Sequence, residues 1–344
     1  MGLPFRDLVT PEELPWESLA GKSIAVDAYN AVYQFLATIR QRDGQPFSDP
    51  EGRTTSHLMG VLGRTTSLLG QGVLPAWVFD GKPPDLKAGT LRERFLAKER
   101  AESQWKDALA AGDLETARRK AAQTSRYTRS MAEETKELLE ALGVPAIQAP
   151  SEGEAQAAQM AANGVVWASA SEDYDSLLFH APRLVRGLAA RMPKGKAPAA
   201  QIIDRPRLLE QLGINDDELL MIGLLVGTDF SDGVRGYGPK KALKLVREHL
   251  GWEATLARAG LDPAEVEPVA ELFRHPETVP VSEVLQRPID REGVHRILVD
   301  RHSFSPERVD GALARAKRKA SAPVVATTEV GHQTMLDSFG GDPA

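Results

Sequence analysis

The sequence predicts an α/β protein whose mostly parallel sheet is covered by helices on both sides. Three observations lead there. Short β-type runs alternate with helical patterns, which argues for parallel strands joined by helical crossovers. The runs are apolar on both alternating faces, as strands buried from both sides must be. Three of them finish in an acid, at the strand end where open parallel sheets bind ligands.

In chain order, SIAVD (23–27) is a strand ending at Asp27, and AYNAVYQFLATIR (28–40) is the helix after it. The helical stretch SHLMGVLGRTTSLLG (56–70) precedes the strand PAWVFD (75–80), which ends at Asp80. No proline falls between Pro84 and Pro145, so that stretch reads helical, broken at Gly112 and restarted with Asp113 as N-cap. VPAIQAP (144–150) is a proline-bounded strand, and EAQAAQMAAN (154–163) is a helix. VVWASASED (165–173) is a strand ending at Glu172 and Asp173, and RLVRGL (183–188) is another. A helix starting near Asp216 (DDELLMIGLLVG) leads into the glycine-punctuated turn VRGYGPKK (234–241) and the helix ALKLVREHL (242–250). Residues 262–320 read as short helices joined by proline-containing loops, and 321–344 as a flexible tail.

The 344 residues are 42% hydrophobic and 26% charged, with a net charge of −6, as for an ordinary soluble globular protein. There is no cysteine, which excludes disulfides, thiolate metal sites and cysteine nucleophiles. No apolar run is long enough to span a membrane. The N-terminal MGLPFRDLVT has no basic-then-apolar leader pattern, and Arg6 stands where a myristoylation signal needs Ser or Thr. An intracellular protein is expected, in the cytoplasm or nucleoid if archaeal. Between Lys87 and Arg129 the balance of charge is +5, leaving −11 for the rest: a basic arm on an acidic body.

The acids carry the chemistry. In WASASEDYDSLL (167–178), Glu172, Asp173 and Asp175 lie within four positions, and like charges so close need a reason. Asp173 and Asp175, two apart, share a face if the segment is extended. PSEGEA (150–155) adds Glu152 and Glu154, where Ser151 and Glu154 also fit a helix capping box. GTDFSD (227–232) adds Asp229. With Asp27 and Asp80 there are seven carboxylates, six of them beside a strand end or the helix start following one and Asp229 where an apolar helix runs out into a loop; adjacent strands would bring them to one crevice. Such a cluster is tenable only with cations, and an all-oxygen set favours Mg²⁺ or Mn²⁺. Two such ions about 4 Å apart suit phosphoryl chemistry. A Ser/His/Asp triad lacks a G-x-S-x-G motif, and an aspartyl-phosphate enzyme would want D-x-D where Asp27-Ala28-Tyr29 stands.

Two stretches suit phosphate. In GYGPKKALKLVREH (236–249), Gly236 and Gly238 allow a tight turn and Pro239 suits the first helical position. The helix start then offers N–H groups to a phosphate, with Lys240, Lys241, Lys244 and Arg247 adding charge. FDGKPPDLKAGTLRERF (79–95) puts Lys82, Lys87, Arg92 and Arg94 just beyond Asp80. Tyr33, on the helix leaving the first acid, can stack on a base or pack in the core.

IAVDAYNAVYQFL, TTSHLMGVLGRT, WVFDGKPPDLK, APSEGEAQAA, ASEDYDSLLF and LLVGTDFSDGVRGYGPKKAL resemble, in that order, the structure-specific flap endonucleases of archaeal/eukaryotic type. The resemblance runs from Met1-Gly2 to about residue 255. It implies a PIN-like 5′-nuclease fold with a mixed, largely parallel sheet, a helical arch at about 85–130 and a helix-hairpin-helix variant at about 216–250. The nuclease core would span 1–320, its α/β body ending near 205, with a tail over 321–344. It implies Mg²⁺-dependent cleavage of 5′ flaps in branched duplex DNA and an associated 5′ exonuclease, in replication and repair, by a monomer. Asp27, Asp80, Glu152 and Glu154 match one metal's group, and Asp173, Asp175 and Asp229 the other's. Lys87 and Arg94 match cations that engage the scissile phosphate, Tyr33 an aromatic stacking near the scissile nucleotide, and Gly2 a DNA-proximal N-terminus. The hairpin Val234–Gly238 matches a K⁺ site. The tail GHQTMLDSFGG is similar to a sliding-clamp-binding peptide through Gln333, Leu336 and Phe339, but Gly340 stands where a second aromatic is expected, which predicts weakened clamp affinity. The alternatives are a bubble-cutting or exonucleolytic relative of the same superfold and a non-catalytic DNA-binding scaffold.

Overall fold

The structure, a computed structural model, describes residues 3–189 and 199–316. Its centre is a seven-stranded sheet in the order β1-β7-β6-β5-β2-β3-β4. The strands are β1 (Glu12–Pro15), β2 (Ser23–Asp27), β3 (Leu74–Phe79), β4 (Ala146–Gln148), β5 (Ala168–Ala170), β6 (Arg183–Arg186) and β7 (Ala199–Asp204). The five strands from β6 to β4 are parallel, and β7 pairs antiparallel with both β6 and β1. The mixed, largely parallel sheet is therefore as expected. β1 and β7 were not legible as strands, because EELP and AAQIID lack the two-faced apolar run of a central strand and owe their pairing to partners distant in sequence.

The helices are α1 (Ala28–Thr38), α2 (Ser56–Gly70), α3 (Ala88–Ala110), α4 (Leu114–Ala121), α5 (Arg129–Ala141), α6 (Gly153–Ala162) and α7 (Asp175–Leu178). There follow α8 (Arg205–Leu212), α9 (Asp216–Val226), α10 (Pro239–Val246), α11 (Trp252–Ala259), α12 (Pro263–Arg274), α13 (Arg291–His295) and α14 (Pro306–Ala316). Side chains alternate across the sheet. Ile24 and Val26 of β2, with Trp77 and Phe79 of β3, join the core shared with α1, α2, α5 and α14. Ala25 and Val78 join a smaller core with α6 on the other side. Burial on both faces explains why these strands read as continuous apolar runs. A second large core gathers α7 to α12, and Leu184 and Ile203 of the sheet reach into it.

The long helical segment after Asp80 is α3 and α4, a hairpin turned at Gly112, whose Asp113 accepts from Thr116 N at 3.0 Å as the expected N-cap. Only Ala101 and Ala108 of α3 are buried, so this helix stands away from the cores. Its chain returns to the body through α5.

Candidate active site

The parallel strands β2, β3 and β5 deliver their following residues to one edge of the sheet. Asp27 leaves β2 as the N-cap of α1, accepting from Asn30 N at 3.0 Å. Asp80 follows β3, and its Oδ1 accepts from Gly153 N at 2.6 Å. A Cβ on residue 153 would lie 2.7 Å from that oxygen, so glycine is what allows the start of α6 to close on Asp80. The loop after β5 carries Ser171, whose hydroxyl donates to Glu154, lies 3.4 Å from Asp27 Oδ2 and accepts from Asp173 N at 3.2 Å. Asp175 opens α7, and its Oδ1 accepts from Leu3 N at 3.2 Å.

The seven expected carboxylates form one network of mutual repulsion. Burial, then Asp80 and Asp173, raises Asp27 well above the usual carboxylate range. Burial and Glu152 lift Asp80 to about 6. Burial, then Asp175, Asp27 and Asp173, raises Glu154. Burial, then Asp229 and Asp173, lifts Asp175 to about 7. Such shifts are what crowded, desolvated acids show when no cation relieves them.

Protein cations fill part of that role. Lys87 Nζ lies 2.5 Å from Glu152 and 3.6 Å from Asp229. Arg94 donates to both oxygens of Asp229, at 2.6 and 2.8 Å, and Thr90 donates to the Asp229 carbonyl at 2.8 Å. Burial alone would lower Lys87 and Arg94, yet these acids raise both above their ordinary values. The base of α3 is thus fastened to the carboxylates. With these cations interleaved, no three His, Asp or Glu side chains among the described residues close on one point as ligands of a single ion would. The donor set nonetheless fits hard divalent ions: it is all oxygen, offers no thiol, and is crowded enough to pull protons on.

Beside the acids a cavity of about 620 Å³ opens, lined by Tyr29, Asp80, Lys87, Arg94, Tyr127 and Glu152 among others. Tyr33 does not line it. Its ring packs 4.5 Å from that of Tyr29, and Lys98 of α3 donates to its hydroxyl at 2.5 Å. Burial alone would raise the Tyr33 phenol, but the hydrogen bonds from Lys98 and Tyr29 outweigh it and lower it.

Three expectations need correction. Ser151 and Glu154 make no capping box: α6 starts at Gly153 with Glu152 as N-cap and no side-chain cap, because Glu154 is turned to Ser171. Residues 171–174 form a turn rather than an extended strand, so Asp173 and Asp175 are brought together by the start of α7. Glu172 turns away from the cluster, accepting from Gly187 N at 2.7 Å with Arg186 at 3.8 Å. Sequence reasoning also missed Ser171, Thr90 and Lys98. Ser171 stands directly before the acidic run, which was the available signal.

At the hairpin between α9 and α10, Gly236 has φ +87°, a conformation that favours glycine, and Gly238 is the N-cap with Pro239 first in the helix. Lys240, Lys241 and Lys244 are all exposed; Lys240 sits 3.8 Å from Asp7 and Lys241 Nζ 3.3 Å from the Gly236 carbonyl. Gly2, Gln333, Leu336 and Phe339 lie outside the described residues.

Residues 6–101 match the XPG N-terminal domain and residues 143–229 the XPG I-region. Flap endonuclease 1 of Aeropyrum pernix is 46% identical over 330 residues, covering 92% of this chain and 94% of that protein. The solved flap endonuclease-1 from Methanococcus jannaschii superposes with a TM-score of 0.72 at 37% identity, over 92% of this chain and 98% of that one. The catalytic core of Rad2, solved in complex with DNA substrate, shares the fold at 23% identity and a TM-score of 0.70, over 92% of this chain and all of that one. A relative this similar over nearly its whole length, and a solved flap endonuclease that shares the fold, place the chain in the flap endonuclease family as a structure-specific 5′ nuclease of branched DNA.

Proposed function

We propose that the seven carboxylates Asp27, Asp80, Glu152, Glu154, Asp173, Asp175 and Asp229 hold two divalent ions at the strand ends. The family is metal-dependent, generally on Mg²⁺; here we assign two Mg²⁺, replaceable by Mn²⁺. The reading rests on one observation: Asp27, Asp80, Glu154 and Asp175, brought together from four separate segments, all have raised pKa values, through desolvation first and then the charge of neighbouring carboxylates of the cluster. Bound there, the ions supply Lewis acidity toward the phosphodiester and acidify an attacking water.

The chain's own groups supply the rest. Lys87 and Arg94 are freed from Glu152 and Asp229 when the carboxylate charge is neutralised, and donate instead to the non-bridging oxygens of the scissile phosphate. Tyr33 stacks on the base beside that phosphate once Lys98 withdraws from its ring, over which it now sits at 4.4 Å. The hairpin at Val234–Gly238 and the start of α10 grip duplex backbone without reading sequence, with K⁺ as the hairpin's ion and Lys240, Lys241 and Lys244 as phosphate partners. Gly2 lies near the DNA, and Gln333, Leu336 and Phe339 dock a sliding clamp. The enzyme acts as a monomer inside the cell. No helix among the described residues is long and apolar enough to cross a membrane.

The test is to map the cut on a labelled double-flap substrate with Mg²⁺, beside bubble, nicked duplex and single-stranded RNA. Cleavage should fall at or just inside the flap base. Asp80→Asn should bind the flap and lose most cleavage; wild-type rates from Asp80→Asn and Asp175→Asn together would end the metal assignment.

A further inference from the structure

Asp27 and Asp173, expected to serve different ions, sit on neighbouring segments that share no backbone hydrogen bond beyond the sheet. β2 and β5 are parallel neighbours, with Val26 opposite Ala170. The start of α1 and the turn at 171–174 therefore emerge side by side, and something must hold them at a fixed separation. Asn30 does so. Its backbone N–H donates to Asp27 Oδ1 at 3.0 Å, its Nδ2 donates to Asp173 Oδ2 at 3.3 Å, and its Oδ1 accepts from Glu172 N at 3.4 Å.

We infer that Asn30 is a positioning residue of the metal centre: it sets the spacing of the Asp27 and Asp173 carboxylates and so the affinity of the second ion bound. The inference rests on the metal assignment above. An amide suits the place for a chemical reason. One group must accept from a backbone N–H and donate to a carboxylate at once, and among small side chains only an amide does both in a fixed plane. It is also neutral. A lysine there would compete with the ion, and an acid would add to the repulsion. The amide engages Oδ2 of Asp173 and leaves Oδ1 uncommitted to it. Neutral partners that orient ligating carboxylates typically govern metal affinity by ten- to a hundred-fold.

The experiment counts Mn²⁺ bound to the full chain by electron paramagnetic resonance, without DNA, for wild type, Asn30→Ala, Asn30→Leu and Asp175→Asn. Leucine has nearly the shape of asparagine and keeps the backbone N–H to Asp27, but has none of the side-chain hydrogen bonds to Asp173 and Glu172. Both Asn30 variants should weaken one Mn²⁺ site by about ten-fold while the metal-free melting temperature stays within about 2 °C of wild type. In flap cleavage the Mg²⁺ concentration for half-maximal rate should rise by a similar factor, with KM for DNA unchanged. Wild-type Mn²⁺ binding by Asn30→Leu overturns the inference. So does a fall in metal-free melting temperature that parallels the lost affinity, which would mark a purely structural role. If Asp175→Asn also binds Mn²⁺ as wild type does, the metal assignment itself fails, a result distinct from either of these.

Discussion

Replacing Asp175 by asparagine should stabilise the metal-free protein while disabling it. Asp175 is 4% exposed, and its carboxyl is lifted from 3.8 to about 7 by burial and by Asp229 and Asp173. A carboxyl whose folded pKa is raised favours the neutral form in the folded state. Its contribution is favourable below the unfolded value near 4 and is lost as pH rises toward 7. At about 1.4 kcal/mol per pKa unit, the shift is worth up to about 4 kcal/mol against folding at pH 8. Asparagine removes the charge and still offers an oxygen to Leu3 N. In chelator at pH 8, Asp175→Asn should therefore exceed wild type by about 2–4 kcal/mol in urea unfolding, and the gap should close by about pH 4. Adding Ca²⁺ should reverse the order, because wild type gains by binding and the variant gains less. A variant less stable than wild type in chelator at pH 8, or a gap that does not move with pH, would refute the reasoning.

Ca²⁺ affinity should rise as pH goes from about 5.5 to 7.5, because Asp80 and Asp175 surrender protons near 6 and 7 in the metal-free state; calorimetry in buffers of different ionisation enthalpy should show protons released on binding. Lys87→Ala should slow flap cleavage by about two to three orders of magnitude with flap affinity little changed, measured in single-turnover assays. Ca²⁺ should support flap binding in gel-shift assays without any turnover. Deleting residues 330–344 should reduce capture of the chain by its cognate sliding clamp, and Gly340→Phe should increase it.

Much of the fold and site was legible because the strongest signals are local. Val and Ile runs covered on both faces announce the parallel strands, and Asp27 and Asp80 announce their ligand-binding ends. What could not be read was set by partners far along the chain. β1 and β7 exist because Glu12 to Pro15 lie against Ala199 to Ile202. Glu154 looked like a cap because nothing local reveals that Ser171 would claim its carboxylate. Asp173 and Asp175 looked like strand neighbours because the turn that joins them depends on where β5 stops. Asn30 sits three residues after Asp27, a spacing that places its N–H on the cap; its reach to the facing loop follows only from strand order.

The footing of α3 has a mechanical consequence. Lys87, Thr90 and Arg94 tie its first turns to Glu152 and Asp229, and Lys98 ties the next turn to Tyr33. Under the proposed mechanism, a strand of DNA passing beneath this helix would have to loosen anchors that are themselves the proposed groups of the reaction. On the roles proposed for Lys87 and Arg94, the gate and the blade share their hinge pins, and changing any one of these side chains would alter passage and cutting together.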